Sequence, residues 1–248
     1  MAMWHNQSAY DIRCEWALDG LSAIIPNSDA VIIVDVLSFS TCVDIAVSRG
    51  VTVYPCGEAN DDCRALAENV GGVLAGSRGE ARFSLSPATF LHADSGERII
   101  LPSPNGGALS VQSTSIPIFT GCLRNARKVA QAAMSFGSKI AVIPAGERWP
   151  SGANRWAIED WIGAGAIISF LERTCSPEAQ AALEAFRFAS ERCHAILSES
   201  VSGRELIEGD DPDDVELAAE VHSSSCAPMK AFKRRYKEAK ELAKREEK

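Results

Sequence analysis

Residues 30–37, AVIIVDVL, constrain the fold more than any other stretch of this chain. The run is rich in β-branched residues and lacks the alternation of a half-exposed strand. It suits a strand covered on both faces, as in a parallel sheet packed between helices. Asp35 interrupts the run, and three hydroxyl side chains come soon after it at Ser38, Ser40 and Thr41. A carboxylate in such surroundings costs free energy unless a cation or hydrogen-bond donors meet it. The fold must therefore bring partners to Asp35.

The rest of the chain alternates strand-like and helical patterns. YDIRCEWAL reads as an edge strand, followed by AVIIVDVL, VTVYPC, GVLAG, RIILPS, SIPIFT and KIAVIPA. Between them STCVDIAVSRG, EANDDCRALAENVGG, NGGALSVQ and LRNARKVAQAAMSFG have helical spacing or turn-and-helix character. This order predicts an α/β fold with a mainly parallel sheet, flanking helices and right-handed crossovers. From Asn154 the pattern turns helical. NRWAIEDWIGAGAIISFLERT reads as one helix, and SPEAQAALEAFRFASERCHAILSES as another opened by a Ser-Pro cap. SGRELIEG and DDPDDVELAAEVH add two shorter ones, and propensity makes MKAFKRRYKEAKELAKREEK a solvated terminal helix. The expected organisation is an α/β lobe over 1–150 carrying most strands and the anion-binding loops, a mainly helical lobe over 151–225 completing the cleft, and a basic helical tail over 226–248.

Charge narrows the partners. The segment 226–248 holds nine Lys/Arg against four Glu, while residues 1–225 hold 16 Lys/Arg against 29 Asp/Glu, a net −13. Such an acidic body is a poor nucleic-acid surface; the basic tail is the place for a partner contact. No apolar run approaches the roughly 20 residues that span a bilayer, and the first residues lack the pattern of a signal peptide. Eight cysteines are scattered without a C-x-x-C pair, and the four histidines are dispersed. The expectation is reduced, mostly buried thiols, no zinc site and a cytoplasmic location. The apolar edge at YDIRCEWAL can pair between two copies of the chain or be covered within one; the sequence favours neither.

In parallel sheets ligands gather beyond the carboxyl ends of the strands. Asp35 with Ser38, Ser40 and Thr41 occupies one such end, where hydroxyls and free N–H groups can hold an anion. SPNGGAL places Asn105, Gly106 and Gly107 at another, with backbone free to approach a ligand closely. GSRGEARFSLSP offers Arg78 and Arg82 as cations for anionic groups. PAGERWPSGANRWAIEDWIGAGA brings Glu147, Glu159 and Asp160. With Asp35 these carboxylates form a hard-oxygen set suited to Mg²⁺. P-loop, dinucleotide-binding and serine-hydrolase signatures are all missing.

These segments, in this order, resemble the 2-phosphosulfolactate phosphatase family. The similarity rests on VDVLSFST at 34–41, GSRGE at 76–80 with SLSP at 84–87, SPNGG at 103–107, PAG at 144–146 and EDWIGAG at 159–165, with SGRELIEGDDPDDVELAAEV as a closing segment. The chain departs from the family pattern at Ser38, where an arginine is usual, and at Ser77, Leu85 and Gly107. Arg82 and Arg155 are the candidates to replace the missing cation. The resemblance implies a Mg²⁺-dependent phosphatase acting on a small anionic phosphate ester. Asp35 with one or more of Glu147, Glu159 and Asp160 would hold the metal. Arg78 and the amides around Asn105, Gly106 and Gly107 would grip the phosphate, with Ser38, Ser40 and Thr41 near the acid end of the substrate. Asp35, Arg78 and Asp160 are the catalytic expectation, with a water activated by the metal as nucleophile ahead of direct attack by Asp35. Two other readings stay open, a non-catalytic relative that binds a small anion or a protein partner, and a phosphatase with another substrate.

Overall fold

A computed structural model describes residues 4–112, 115–231 and 235–239. In chain order its elements begin with β1 (Ile12–Cys14), α1 (Ala17–Ile24), β2 (Ala30–Val34), α2 (Phe39–Ser48), β3 (Thr52–Cys56), α3 (Asp61–Val70), β4 (Val73–Leu74) and β5 (Arg98–Pro102). They continue with α4 (Gly106–Ser110), β6 (Ile118–Gly121), α5 (Ala126–Met134), β7 (Ile140–Pro144) and the short hairpin β8 (Glu147–Arg148) and β9 (Asn154–Arg155). Five helices come next, α6 (Ile158–Ile168), α7 (Pro177–Ala189), α8 (Cys193–Glu199), α9 (Val201–Glu208) and α10 (Pro212–Ala219), and then β10 (Pro228–Ala231) and β11 (Arg235–Glu238).

The large sheet has the order β1-β7-β2-β6-β10-β11-β3-β5-β4. Two parallel blocks, β1-β7-β2-β6 and β3-β5-β4, make the fold α/β and mostly parallel, as the alternating pattern predicts. β2 lies between β7 and β6 and is buried along its whole length. Its unbroken apolar pattern has a direct cause. Ile32 and Val34 pack into the apolar cluster on one face, together with Phe119 and Val142. Val31 and Ile33 pack into the cluster on the other, with Phe39 and Ile143. Ile162, Ala182, Leu197 and Val215 of the later helices belong to the first of these clusters, so those helices share the core of the strands. Among the described residues no helix is long and apolar enough to cross a membrane.

Local signals set several ends. Gly71 stops α3 in the left-handed region at φ 60°, and Ser176 caps α7 by accepting from the Ala179 amide, with Pro177 in the first turn. Elsewhere the sequence expectation needs correction. Asn154 and Arg155 are not helical, because Gly152 (φ 83°) closes a tight turn that pairs them with Glu147 and Arg148. The helix expected over 176–200 divides into α7 and α8 around Ser190, whose hydroxyl turns back to the Arg187 carbonyl. Cys56 and Cys63 form a disulfide between the end of β3 and the first turn of α3. The other six cysteines are free, five of them buried, so the expectation of reduced thiols fails at one pair.

The largest correction concerns the tail. The described part of 226–239 is a strand hairpin, not a helix. β10 runs antiparallel to β6 and β11 antiparallel to β3, so the hairpin joins the two parallel blocks. Without it β6 and β3 would each present an unpaired edge. Tyr236 is fully buried, with its ring edge-on to Phe39 and its hydroxyl 2.9 Å from Ser110 Oγ. Pairing and burial together outweigh the helical propensity of a Lys/Glu/Ala-rich segment. The expected helix from residue 240 onward lies outside the described residues.

Candidate active site

Four segments meet near the end of β2: Asp35–Thr41, the Ser103–Gly107 turn after β5, Gly146–Glu147 after β7, and the first turn of α6. Among the described residues the carboxylate of Asp35 finds hydrogen-bond donors and no cation. Its Oδ1 accepts from the Phe39 amide at 3.1 Å, and its Oδ2 from the Gly106 amide at 2.8 Å and the Ser103 hydroxyl at 3.5 Å. The approach of the turn requires glycine. A Cβ on Gly106 would stand 2.7 Å from Asp35 Oδ2, and one on Gly107 would stand 2.2 Å from the Cys56 carbonyl oxygen.

Asp160 works in the same way from α6. Its two oxygens accept from the Val36 amide at 2.7 Å and the Gly146 amide at 2.8 Å, tying the ends of β2 and β7 to the helix. Glu147 accepts from Asn105 Nδ2 at 2.8 Å. Glu159 is 2% exposed, and among the described residues it accepts no hydrogen bond. The four acids feel one another. Burial, with the charge of Glu159, pushes Asp35 up to about 6 against the hydrogen bonds that stabilise its anion. Burial and then the charge of Asp35 raise Glu147 to about 7. Asp160 is pushed well above the ordinary carboxylate range by burial and by the charges of Asp35 and Glu159. Asp35, Glu147, Glu159 and Asp160, expected as one set, thus lie near enough for their charges to interact, although among the described residues no three of them converge as a ready-made metal cage.

Other expected site residues have different duties. Ser40 Oγ accepts from the Asp35 amide at 2.9 Å, and Thr41 Oγ1 donates to the Val36 carbonyl at 2.8 Å; both hydroxyls are buried and hold the loop. Ser38 Oγ accepts from Arg78 at 3.2 Å, and the Leu37–Ser38 peptide is cis. Arg78 pairs with Asp214 and, at 3.2 Å, with Asp211, and it also donates to the Leu85 carbonyl. Its guanidinium therefore locks the 76–87 loop to α10. Arg82, offered as a replacement cation, is spent on Glu97 and Asp94 at the surface. The Gly106 amide belongs to Asp35, whereas the Gly107 amide donates to no protein acceptor among the described residues.

Two contributors escaped the sequence reading. Ser103 bridges Asp35 and the Asn105 amide, yet a serine before Pro-Asn-Gly reads only as turn chemistry. Asp214 reads as a helix-start acid, but it binds Arg78, the Ser86 hydroxyl at 2.6 Å and the Ala88 amide at 3.3 Å. Its distance in sequence from those partners hid the role.

A family model described as 2-phosphosulpholactate phosphatase matches residues 21–231, a span that includes every site residue named above. The chain belongs to the 2-phosphosulpholactate phosphatase family. Curated relatives agree. A 2-phosphosulfolactate phosphatase of Methanothermobacter thermautotrophicus is 27% identical over 160 residues, covering 63% of this chain and 67% of that protein. A probable 2-phosphosulfolactate phosphatase of Parasynechococcus marenigrum is 26% identical over 223 residues, 82% of this chain and 89% of its own length. The enzyme of that name from Methanocaldococcus jannaschii is 29% identical over 163 residues, with 62% and 68% covered. Within the 2-phosphosulpholactate phosphatase family, then, this chain has three buried acids, Asp35, Glu159 and Asp160, with the half-buried Glu147 near them, where β2, β5, β7 and α6 meet.

Proposed function

We propose that the chain hydrolyses the phosphate ester of 2-phosphosulpholactate, releasing inorganic phosphate, with Mg²⁺ as cofactor. The reading rests on the family match together with one observation: Glu159, buried and accepting no hydrogen bond among the described residues, stands among three further acids whose anions are disfavoured by burial and then by the charges of Asp35 or Glu159. A divalent ion relieves that repulsion. The donor set suits Mg²⁺, a hard cation that takes one or two carboxylates and keeps several waters. Among the described residues no three His, Cys, Asp or Glu side chains converge as a ready-made cage. Glu159 and Asp35 are the residues assigned to hold the ion, with Glu147 and Asp160 next to them. Bound there, Mg²⁺ supplies Lewis-acid neutralisation of phosphoryl charge.

The chain's own groups divide the remaining work. Asp35 and Asp160 are fixed by backbone amides, so their oxygens need no reorganisation as charge develops on the substrate. The Gly107 amide is left to donate to a phosphoryl oxygen. Glu147, half-buried at about 7, accepts a proton from the attacking water near neutral pH. Water thus adds to phosphorus while the P–O bond to the substrate alkoxide breaks, and the proton that Glu147 took from the water is returned to the alkoxide to give the alcohol. We favour water over Asp35 as nucleophile, because both Asp35 oxygens already accept hydrogen bonds. Phosphate release with and without Mg²⁺, from the wild type and from Asp35→Asn and Glu159→Gln, tests the scheme. Both variants should lose at least about 100-fold in kcat. Equal hydrolysis by all three proteins rejects the site, and no hydrolysis of any ester by the wild type favours an anion-binding role.

A further inference from the structure

Arg155 stands apart from the other cations of this region. Arg78 is engaged by Asp214 and Asp211, Arg124 by Asp44 and Glu220, and Arg82 by Glu97 and Asp94. Arg148 lies on the opposite face of the β8–β9 hairpin and donates to the Pro104 carbonyl at 3.3 Å. Arg155 is the register partner of Glu147, which puts both side chains on one face of the hairpin. Its side chain is only 12% exposed. It nevertheless makes a single hydrogen bond among the described residues, to Ser202 Oγ at 3.3 Å, and its nearest carboxylate, Glu205, lies 3.9 Å away and is 69% exposed. A guanidinium carries five N–H donors, so most of them have no protein acceptor among the described residues. Its charge reaches Glu147 and stabilises that anion, yet no ion pair within 4.0 Å joins the two. The site thus has an acidic wall and, facing it without contact, a largely buried cation.

We propose that Arg155 grips the second anionic group of the substrate, the carboxylate or sulfonate carried beside the phosphate. The assignment rests on the phosphatase reading above and deepens it. Ser202 and Glu205, both on α9, set the direction of the guanidinium, and the Trp149 ring lies 5.9 Å beneath it. The fork geometry of arginine suits either oxyanion through paired hydrogen bonds. Position 38, at the start of α2, holds no cation but a serine whose hydroxyl Arg78 already binds. Arg155 is therefore the buried, under-used guanidinium left to answer the anion.

Wild type, Arg155→Ala and Arg155→Lys, each checked for folding by circular dichroism, are compared in the presence of Mg²⁺ by two independent readouts. Calorimetry measures sulfolactate, which lacks the phosphate, and inorganic phosphate. Arg155→Ala should weaken sulfolactate by about 100-fold, leave phosphate within about threefold of wild type, and raise KM for the ester far more than it lowers kcat. Arg155→Lys should recover part of the loss. Lactate and 2-hydroxyethanesulfonate, each carrying one of the two groups, identify which one Arg155 holds. Equal loss of phosphate and sulfolactate would place the residue on the phosphate instead and overturn the proposal. So would unchanged sulfolactate binding, which would leave Arg155 as a counter-charge to Glu147, or failure of the wild type to bind any of these anions. Sulfolactate binding without ester hydrolysis by the wild type would sink the phosphatase reading alone.

Discussion

Asp35 is held by three donors although it ends an apolar strand, and its carboxyl still titrates near 6. A folded-state pKa above the unfolded one means that the native protein binds more protons between the two values. Stability contributed by such an acid is full below the unfolded value and declines as pH rises through the folded one. Asp35, Glu147 and Asp160 all move in this direction, so without divalent ions the melting temperature should fall as pH climbs from about 4 to above 7. Added Mg²⁺ should raise the melting temperature at pH 8 and have little effect at pH 5, which differential scanning calorimetry can check. A flat profile, or equal Mg²⁺ stabilisation at both pH values, would contradict the arrangement of acids. Asp35→Asn removes a disfavoured charge at the expense of one acceptor. Its stability at pH 8 without Mg²⁺ should therefore change by no more than about 1 kcal/mol, while the Mg²⁺-dependent rise should largely vanish.

Elements carry these residues, and two covalent or polar links between elements can be tested separately. The Cys56–Cys63 disulfide closes a loop between β3 and α3, and the Cys56 carbonyl also accepts from the Ser103 amide at 3.0 Å. Loop-closure entropy for so short a loop amounts to roughly 2–3 kcal/mol. Reduction, or Cys63→Ser, should lower unfolding free energy by about that amount in a urea titration. Tyr236 ties β11 to α4, whose first amide serves Asp35. Tyr236→Phe leaves a buried serine hydroxyl that still donates to the Gly106 carbonyl, so the expected loss is about 1 kcal/mol. A loss several times larger would mean that the hydroxyl also braces the helix. Much of the element order was legible in the sequence, because strand runs of β-branched residues alternate with capped, periodic helices. The β8–β9 hairpin and the C-terminal hairpin were not. Residues 154–155 run into the α6 sequence with no Gly or Pro between them, and the tail becomes strand only through the edges it meets, which no local window contains.

The whole molecule is an acidic body, with a net charge of −8, proposed to act on an acidic ester. Long-range repulsion should slow substrate encounter, and salt should relieve it. kcat/KM at fixed free Mg²⁺ is expected to rise between about 10 and 150 mM NaCl, whereas a falling value would point to local cations dominating the approach. In the sequence Asp35 and Glu147 were legible as acids at strand ends, where ligands gather in this class of fold, and Glu159 and Asp160 as an adjacent pair at a helix start. The division of labour among its neighbours was not visible. Ser40 and Thr41 look like ligand hydroxyls until the loop's own amides and carbonyls claim them, and Arg78 looks free until Asp214, far along the chain, arrives.

That late arrival applies to the sheet as well. β10 and β11 emerge from the ribosome after every other described strand, yet they fill the seam between the two blocks. Until residue 238 is translated, the facing sides of β6 and β3 have no neighbour, so a nascent chain carries two open flanks through most of its synthesis. Closure of this sheet waits for β10 and β11, and the interval before it is when a chaperone, or a stray strand from another molecule, has its opportunity.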